Sequence, residues 1–149
     1  GGAYAIGLGE TMAAATRNEN VTFFVMNNTV YGMTGGQMAP TTMIGQRTTS
    51  SKDGRILADS GENFDVVKTM RGLAIAYLAR TSVTNPANVA KTKKYVRKAL
   101  EKQRDCKGFS LVEVLVPCPT NWGMTPPKSM EYINDVMTKQ YELGEFIDR

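Results

Sequence analysis

Histidine is absent from this chain of 149 residues. Its absence excludes histidine general-base catalysis, a Ser-His-Asp triad and histidine-ligated metals built from this chain alone. Cysteine is nearly as scarce, and two thiols, Cys106 and Cys118, are too few for a disulfide scaffold. No apolar run approaches the length of a membrane span. The sequence therefore predicts a chain that makes no use of the membrane and whose chemistry does not rest on histidine.

The composition that remains is that of an ordinary globular domain. Apolar residues make up 42% of the chain and charged residues 21%, so enough side chains are available to build a core. Strand-like and helix-like segments alternate without hairpin signals, which favours an α/β fold with a parallel sheet flanked by helices. No repeat or linker divides the chain, and residues 1–149 are predicted to form one domain.

The expected elements follow from apolar periodicity and from Gly, Pro and Asn punctuation. We expect helices over residues 3–17, 65–73, 86–104 and 129–140, and strands over residues 21–27, 74–79 and 109–116. Residues 28–63 lack periodicity and are rich in Gly, Thr, Ser, Met and Pro. A loop of that length is usually functional or disordered. We interpret it as a ligand loop through about Thr42, followed by a mobile connection over residues 45–61 that orders against a partner.

The stretch VTFFVMNNTVYGMTGGQ, residues 21–37, carries the strongest functional signal. An apolar strand ends at two asparagines, and ligands of α/β folds bind where the carboxyl ends of strands leave the sheet. Asn27 or Asn28 offers an amide oxygen, and Thr29 and Val30 offer backbone carbonyls. Thr34 adds a hydroxyl, and Gly35 and Gly36 add unhindered backbone amides. This mixture suits a hard divalent cation that bridges to a diphosphate.

The same stretch resembles the second half of the thiamine diphosphate motif, which opens with Gly-Asp-Gly and closes with Asn-Asn. The wording YGMTGGQMAPTT is more specific, and it is similar to the thiamine-binding (beta) subunit of the 2-oxoacid:ferredoxin oxidoreductases, particularly the 2-oxoisovalerate branch. The resemblance extends through GGAYAIGLGETM, YLARTSVTNP, KGFSLVEVLVPCPTNWGMTP and YELGEFIDR. It therefore covers nearly the whole chain, and it implies the C-terminal part of a thiamine diphosphate-binding fold.

The resemblance also implies site residues. Asn28 would be a side-chain ligand of Mg²⁺, and Val30 would be a ligand through its backbone carbonyl. The diphosphate and the reacting end of thiamine diphosphate would be lined by Thr34, Gly35, Gly36 and Gln37. No residue resembles a dedicated acid or base, as expected where the cofactor carries the difficult chemistry.

Two features of the resemblance point to an incomplete site. Gly1 aligns with the last glycine of Gly-Asp-Gly, so the family's aspartate ligand would stand just before it, and we interpret the chain as a C-terminal fragment. An Mg²⁺ held without a carboxylate should bind weakly. Cys118 aligns with the fourth ligand of a [4Fe–4S] cluster, whose other three cysteines lie earlier in such subunits. One thiolate cannot hold a cubane cluster, whereas Cys106 is interpreted as an incidental thiol.

The implied activity is coenzyme A-dependent oxidative decarboxylation of a 2-oxoacid, with electrons passed to ferredoxin. The implied partners are the alpha-, gamma- and delta-type subunits, and the implied location is the cytoplasm. Some 2-oxoglutarate-using relatives carry lysine where Gly35 stands. The absence of that lysine favours 2-oxoisovalerate, while 2-oxoglutarate and pyruvate remain alternatives.

Two other classes of function stay open at this point. A non-redox thiamine diphosphate enzyme would keep Asn28 and need no thiolate at Cys118. A non-catalytic interaction or nucleic-acid-binding domain could use the helix of residues 91–107, which carries eight basic residues against Glu101 and Asp105. We favour a solvated helix face, because no aromatic platform or recognition motif accompanies these charges.

Overall fold

A computed structural model gives the structure of the protein and describes all 149 residues. The strands are β1 (Thr22–Asn27), β2 (Val30–Tyr31), β3 (Gln37–Met38), β4 (Tyr77–Ser82), β5 (Ser110–Leu115) and β6 (Gly144–Asp148). The helices are α1 (Leu8–Thr16), α2 (Leu57–Ser60), α3 (Val66–Met70), α4 (Pro86–Arg104), α5 (Pro119–Trp122), α6 (Pro126–Tyr132) and α7 (Thr138–Gln140). Two π-helical turns, Gly2–Ile6 and Ile133–Met137, adjoin α1 and α6. No helix is long and apolar enough to cross a bilayer.

The central sheet has the strand order β1-β5-β4-β6. β5 is parallel to both β1 and β4, and β6 runs antiparallel to β4 at the edge. The predicted α/β fold with a parallel sheet flanked by helices is thus confirmed. The antiparallel edge strand was not predicted, because the sequence of residues 144–148 carries no hairpin signal and its pairing partner lies far away in the chain.

Strands β4 and β5 are buried along their whole length, with alternate residues facing opposite layers. Leu78 and Leu111 belong to a cluster that includes residues of α1 and α3. Tyr77, Ala79 and Val112 belong to a second cluster with Ala99 of α4. The period of two along the strands therefore divides the core between the two faces of the sheet.

Side-chain caps begin two of the helices at the residues that the sequence indicates. The Asn85 side chain accepts a hydrogen bond of 2.9 Å from the backbone N–H of Asn88, and Pro86 occupies the first turn of α4. Asp65 caps α3 by accepting from the N–H of Val67 at 2.9 Å. The predicted start of the long basic helix is therefore confirmed.

Residues 45–61 follow a defined path, and the side chains of Gln46, Ser50 and Arg55 hold them to the rest of the domain. Arg55 is buried, and its guanidinium donates to six backbone carbonyls: those of Ala39, Pro40, Thr42, Ser60, Gly61 and Glu62. The prediction of a mobile connection that orders only against a partner is wrong for this structure. The sequence could not indicate this order, because a lone arginine in a Gly- and Ser-rich stretch gives no sign of its distant acceptors.

Ion pairs fasten α4 to the edge strand β6. Lys98 contacts Glu145 at 2.9 Å and Asp148 at 2.7 Å, and Lys102 contacts Asp148 at 2.7 Å. The hydrogen bonds from Lys102 and Lys98 lower the pKa of Asp148 below its ordinary value. The stabilisation that Asp148 supplies is therefore fully present above the ordinary carboxyl pKa and is lost as the pH falls through the lowered one.

We expect Asp148→Asn to reduce the free energy of unfolding at pH 7 by less than about 1 kcal/mol, since this carboxylate is more than one-third exposed. The difference from wild type should shrink as the pH falls below the ordinary carboxyl pKa and should vanish below the lowered pKa of the folded state, where Asp148 is protonated in both the folded and unfolded states. Thermal unfolding of both proteins between pH 2 and pH 7 measures this difference in stability. Asp53→Asn is the control, because Asp53 is exposed and forms no salt bridge. An Asp148→Asn defect independent of pH would contradict the assignment.

Candidate functional site

The carboxyl ends of β1 and β5 lie side by side, with Asn27 opposite Leu115 in the ladder. The segments that follow these two strands therefore leave the sheet at the same edge. One begins with Asn28 and the other contains Cys118. The structure thus brings together the two regions that the sequence singled out, although 90 positions separate them.

The two asparagines at the end of β1 have different environments. Asn27 is buried, donates from Nδ2 to Glu113 at 3.0 Å, and accepts at Oδ1 from the backbone N–H of Thr29 at 2.9 Å. Asn28 is only partly buried, and its Oδ1 accepts a longer hydrogen bond of 3.3 Å from the N–H of Val30. Of the two amides, Asn28 is the one whose oxygen is available to a metal ion.

Thr29, between Asn28 and Val30, has left-handed backbone geometry with φ 61°. This conformation is unfavourable for a β-branched residue and persists only where the surroundings hold it. Three side chains do so here: Asn27 accepts from its N–H, Gln46 donates to its hydroxyl at 2.7 Å, and Thr42 donates to its carbonyl. The turn is therefore fixed from three sides, and with it the directions of Asn28 and Val30.

Glycines form the tip of the short β2–β3 hairpin. Gly35 and Gly36 have φ of 118° and 81°, a region that other residues rarely adopt. A Cβ on Gly36 would lie 2.8 Å from Oδ1 of Asn121. Thr34 and Gln37 bond each other across the tip, with Thr34 Oγ1 donating to Gln37 Oε1 and Gln37 Nε2 donating to the Thr34 carbonyl, both at 2.8 Å. The absence of a side chain at Gly35 leaves room for close approach by a phosphate, whereas Gly36 packs against Asn121.

Helix α5 holds Cys118 against this loop. Asn121 donates to Cys118 Sγ at 3.1 Å and to the carbonyl of Gly32 at 3.2 Å. The indole N–H of Trp122 donates to the carbonyl of Asn28 at 3.2 Å. A Cβ on Gly32 would lie 3.5 Å from Cys118 Sγ, so the thiol is in direct contact with the candidate cofactor loop. Cys106, by contrast, is exposed at the end of α4.

The donor set fits an Mg²⁺–diphosphate and does not complete an iron–sulfur site. The amide of Asn28 and the glycine-lined backbone supply oxygen and N–H groups suited to a diphosphate with its cation. Gly1 also meets this loop, since a Cβ there would lie 3.5 Å from the ring of Tyr31. Nowhere, however, do three His, Cys, Asp or Glu side chains gather as metal ligands. Cys118 is a single thiol, and a cubane cluster needs four ligands.

Three residues at the site were not predicted from the sequence: Glu113, Asn121 and Trp122. Asn121 and Trp122 stand directly after Cys118 in Cys-Pro-Thr-Asn-Trp, so their position beside a candidate ligand was a usable signal. Glu113 gave none, because a carboxylate inside an apolar strand is explained only by its partners on neighbouring strands. Those partners are Asn27 of β1 and Arg80 of β4.

Known proteins similar to this chain are subunits of 2-oxoacid oxidoreductases. It is 42% identical over 145 residues to ketoisovalerate oxidoreductase subunit VorA of Methanothermobacter marburgensis, covering 97% of this chain and 30% of that protein. It is 34% identical over 135 residues to 2-oxoglutarate synthase subunit KorB of Archaeoglobus fulgidus, covering 91% of this chain and 46% of KorB. The chain therefore spans less than half the length of these relatives.

A solved structure shows the same fold. The 2-oxoglutarate:ferredoxin oxidoreductase from Magnetococcus marinus, with 2-oxoglutarate, coenzyme A and succinyl-CoA bound, superposes with a TM-score of 0.73. Sequence identity is 20%, and the match covers 98% of this chain and 53% of that chain. At this identity the likeness speaks for the fold alone.

Residues 1–114 match the family described as thiamine pyrophosphate enzyme, C-terminal TPP binding domain. The match spans the π-helical turn at Gly2–Ile6, strand β1, the Asn27–Asn28 pair and the glycine hairpin, and it continues into β5. Thiamine pyrophosphate is the cofactor named thiamine diphosphate above, so the family agrees with the cofactor predicted from the sequence. The chain belongs to the thiamine pyrophosphate enzymes, as their C-terminal cofactor-binding domain.

Proposed function

We propose that this chain supplies the metal- and diphosphate-binding half of a 2-oxoacid:ferredoxin oxidoreductase. The proposed reaction is coenzyme A-dependent oxidative decarboxylation of a 2-oxoacid, with 2-oxoisovalerate favoured, and ferredoxin receives the electrons. The identity to VorA along nearly the whole chain supports this assignment. The other subunits of such an enzyme would be the partners of this chain, and its location would be the cytoplasm.

The position of Cys118 is the observation that carries the redox assignment. A non-redox thiamine diphosphate enzyme would need no thiolate at Cys118. Here Asn121 joins the two by donating both to Cys118 Sγ and to the carbonyl of Gly32. We propose that Cys118 supplies one thiolate to a [4Fe–4S] cluster. The remaining ligands of the cluster would come from residues other than those of this chain.

The residues of the chain bind and orient the cofactor. Asn28 would coordinate Mg²⁺ through Oδ1 and Val30 through its carbonyl, while the backbone at Gly35 and Gly36 would line the diphosphate. The Gly36 N–H itself donates to the carbonyl of Tyr31 at 2.8 Å. Thr34 and Gln37 keep the hairpin tip in shape through their mutual hydrogen bonds. Bound thiamine diphosphate would supply the carbanion chemistry of decarboxylation. The chain's own contribution is therefore to bind and position the cofactor.

The substrate is tested on the purified oxidoreductase that contains this chain, handled without oxygen. Coenzyme A-dependent reduction of a viologen dye is followed with 2-oxoisovalerate, pyruvate and 2-oxoglutarate as separate substrates. We expect the highest kcat/KM with 2-oxoisovalerate. A clear preference for either of the other two acids would reject the proposed substrate and keep the enzyme class.

The two cysteines allow a matched test of the redox assignment. We expect Cys118→Ser to abolish dye reduction and to lower the iron content of the purified enzyme, because oxygen is a poor replacement for a thiolate in iron–sulfur ligation. Cys106→Ser should change neither quantity, since Cys106 is exposed and remote from the loop. Equal activity and iron content in the two variants would instead favour a non-redox thiamine diphosphate enzyme.

A nucleic-acid-binding role for α4 has less support from the structure. Lys98 and Lys102 face the carboxylates of β6, and Arg104 pairs with Asp105 at 2.7 Å. These ion pairs reduce the positive charge that the helix presents to a phosphate backbone. The oxidoreductase assignment is therefore better supported than a nucleic-acid-binding role.

A further inference from the structure

A buried network of polar side chains spans three strands directly beneath the cofactor loop. Glu113 of β5 is 1% exposed, and both of its carboxylate oxygens are in use. Oε1 accepts from Asn27 Nδ2 of β1 at 3.0 Å, and Oε2 accepts from Nε of Arg80 of β4. Arg80 is also 1% exposed and contacts Asp65 at 2.6 Å. A buried ion pair gains little stability over a well-packed apolar pair, so this arrangement calls for another explanation.

The donor and acceptor groups of these side chains fix the direction of every hydrogen bond in this network. The Arg80 guanidinium can only donate, so Glu113 must accept from it. The ionised carboxylate can only accept, so Asn27 must turn its NH₂ toward Glu113. The Oδ1 of Asn27 is thereby left to accept from the N–H of Thr29 at 2.9 Å. The Glu113 carboxylate, held by Arg80, thus sets which way the Asn27 amide faces.

The Asn27 amide in turn holds the strained turn that presents the metal ligands. Thr29 has φ 61° and follows Asn28, and its N–H hydrogen bond to Asn27 closes the turn. We infer that Glu113, oriented by Arg80, is a positioning residue that fixes the Asn28–Val30 turn for Mg²⁺–diphosphate binding. This inference rests on the proposed function for its ligand, and on the geometry alone for the turn.

Glu113→Gln tests the inference with almost no change of shape. The glutamine would direct its oxygen to Arg80 and its NH₂ to Asn27, placing two donors against each other. Asn27 would then have to rotate its amide, and its NH₂ would face the N–H of Thr29. Adding Asn27→Asp repairs the network, because the new carboxylate accepts from both the glutamine and Thr29. The double variant also keeps the net charge of the cluster.

Three quantities are measured on the purified oxidoreductase: the Kd for Mg²⁺–thiamine diphosphate by calorimetry, hydrogen exchange at the amide of Thr29, and the thermal midpoint. We expect Glu113→Gln to weaken binding about 10- to 100-fold, as replacement of residues that orient metal ligands generally does, and to speed exchange at Thr29. The double variant should restore both. Tyr77→Phe is the control, because it removes a partly buried hydrogen bond to Glu145 away from the loop and should alter the midpoint alone.

Binding by Glu113→Gln that matches binding by Tyr77→Phe would overturn the inference, as would a folded double variant that still binds weakly. If Glu113→Gln does not fold, the double variant decides alone. Failure of the wild-type enzyme to bind thiamine diphosphate would reject the proposed function instead. In that event, unchanged exchange at Thr29 in Glu113→Gln would separately reject the positioning role, and faster exchange would uphold it.

Discussion

Replacing Asn28 with alanine is expected to weaken Mg²⁺–thiamine diphosphate binding by about 100-fold or more and to reduce kcat/KM at limiting cofactor accordingly. Residues that merely orient metal ligands contribute about 10- to 100-fold to metal affinity, so a ligand itself should reach or exceed the upper end. The fold should survive. The side chain forms only the 3.3 Å hydrogen bond to Val30, while the bond from Trp122 goes to the backbone carbonyl, which alanine retains.

Cofactor affinity is measured by calorimetry on cofactor-stripped enzyme, and circular dichroism checks the fold. Asn134→Ala is the matched control: Asn134 is exposed and accepts a hydrogen bond from Thr84, away from the loop. An Asn28→Ala enzyme that binds the cofactor as tightly as the control would show that Asn28 is not a ligand. Asn27 would not then replace it as a candidate, because its amide is bonded on both sides.

Arg80→Met is expected to produce the largest loss of stability, about 3–5 kcal/mol in the free energy of unfolding. Methionine leaves two carboxylates, Glu113 and Asp65, buried without a cation. Burial lowers the pKa of Arg80, but those two carboxylates outweigh it and raise the pKa above the ordinary value. The guanidinium also lies 5.0 Å from the ring centroid of Tyr141, so its stacking is lost as well.

Denaturant unfolding of the purified subunit measures this loss. Arg104→Met is the control, because Arg104 forms an exposed pair with Asp105 and its replacement should leave the midpoint unchanged. Adding Glu113→Gln and Asp65→Asn to Arg80→Met should recover part of the stability, since the buried carboxylates then become neutral amides. A triple variant no more stable than Arg80→Met would assign the loss to packing and not to unpaired charge.

The sequence predicted the elements whose signals are local. The apolar strand before Asn27, the start of α4 at Pro86 and the alternation of strands and helices each depend on neighbouring residues, and all are present in the structure. The strand predicted at residues 74–79 instead spans Tyr77–Ser82. Its polar end, with Arg80 inside the sheet, is stable only because Glu113 lies on the adjacent strand, 33 positions later.

The site was predicted less completely than the fold. Asn28 and the glycines of the hairpin follow a strand in sequence, and this order is itself the signal for a ligand loop. The contact of Cys118 with that loop depends on β1 and β5 being neighbours in the sheet. Neither segment carries a sequence signal for this pairing. Glu113, Asn121 and Trp122 owe their roles entirely to this pairing. The roles of Asn28, Val30, Thr34, Gly35, Gly36, Gln37 and Cys118 in binding stay predictions until the variants are measured.

Arg55 has a consequence for how the loop it holds can change during evolution. Its guanidinium donates hydrogen bonds to backbone carbonyls from residue 39 to residue 62 and to no side chain. Every residue type carries the same carbonyl, so substitutions along this segment keep the acceptors in place. An insertion or deletion would shift them out of reach. We therefore expect related chains that retain this arginine to vary more in loop composition than in loop length, except at Thr42 and Gln46, whose side chains hold Thr29.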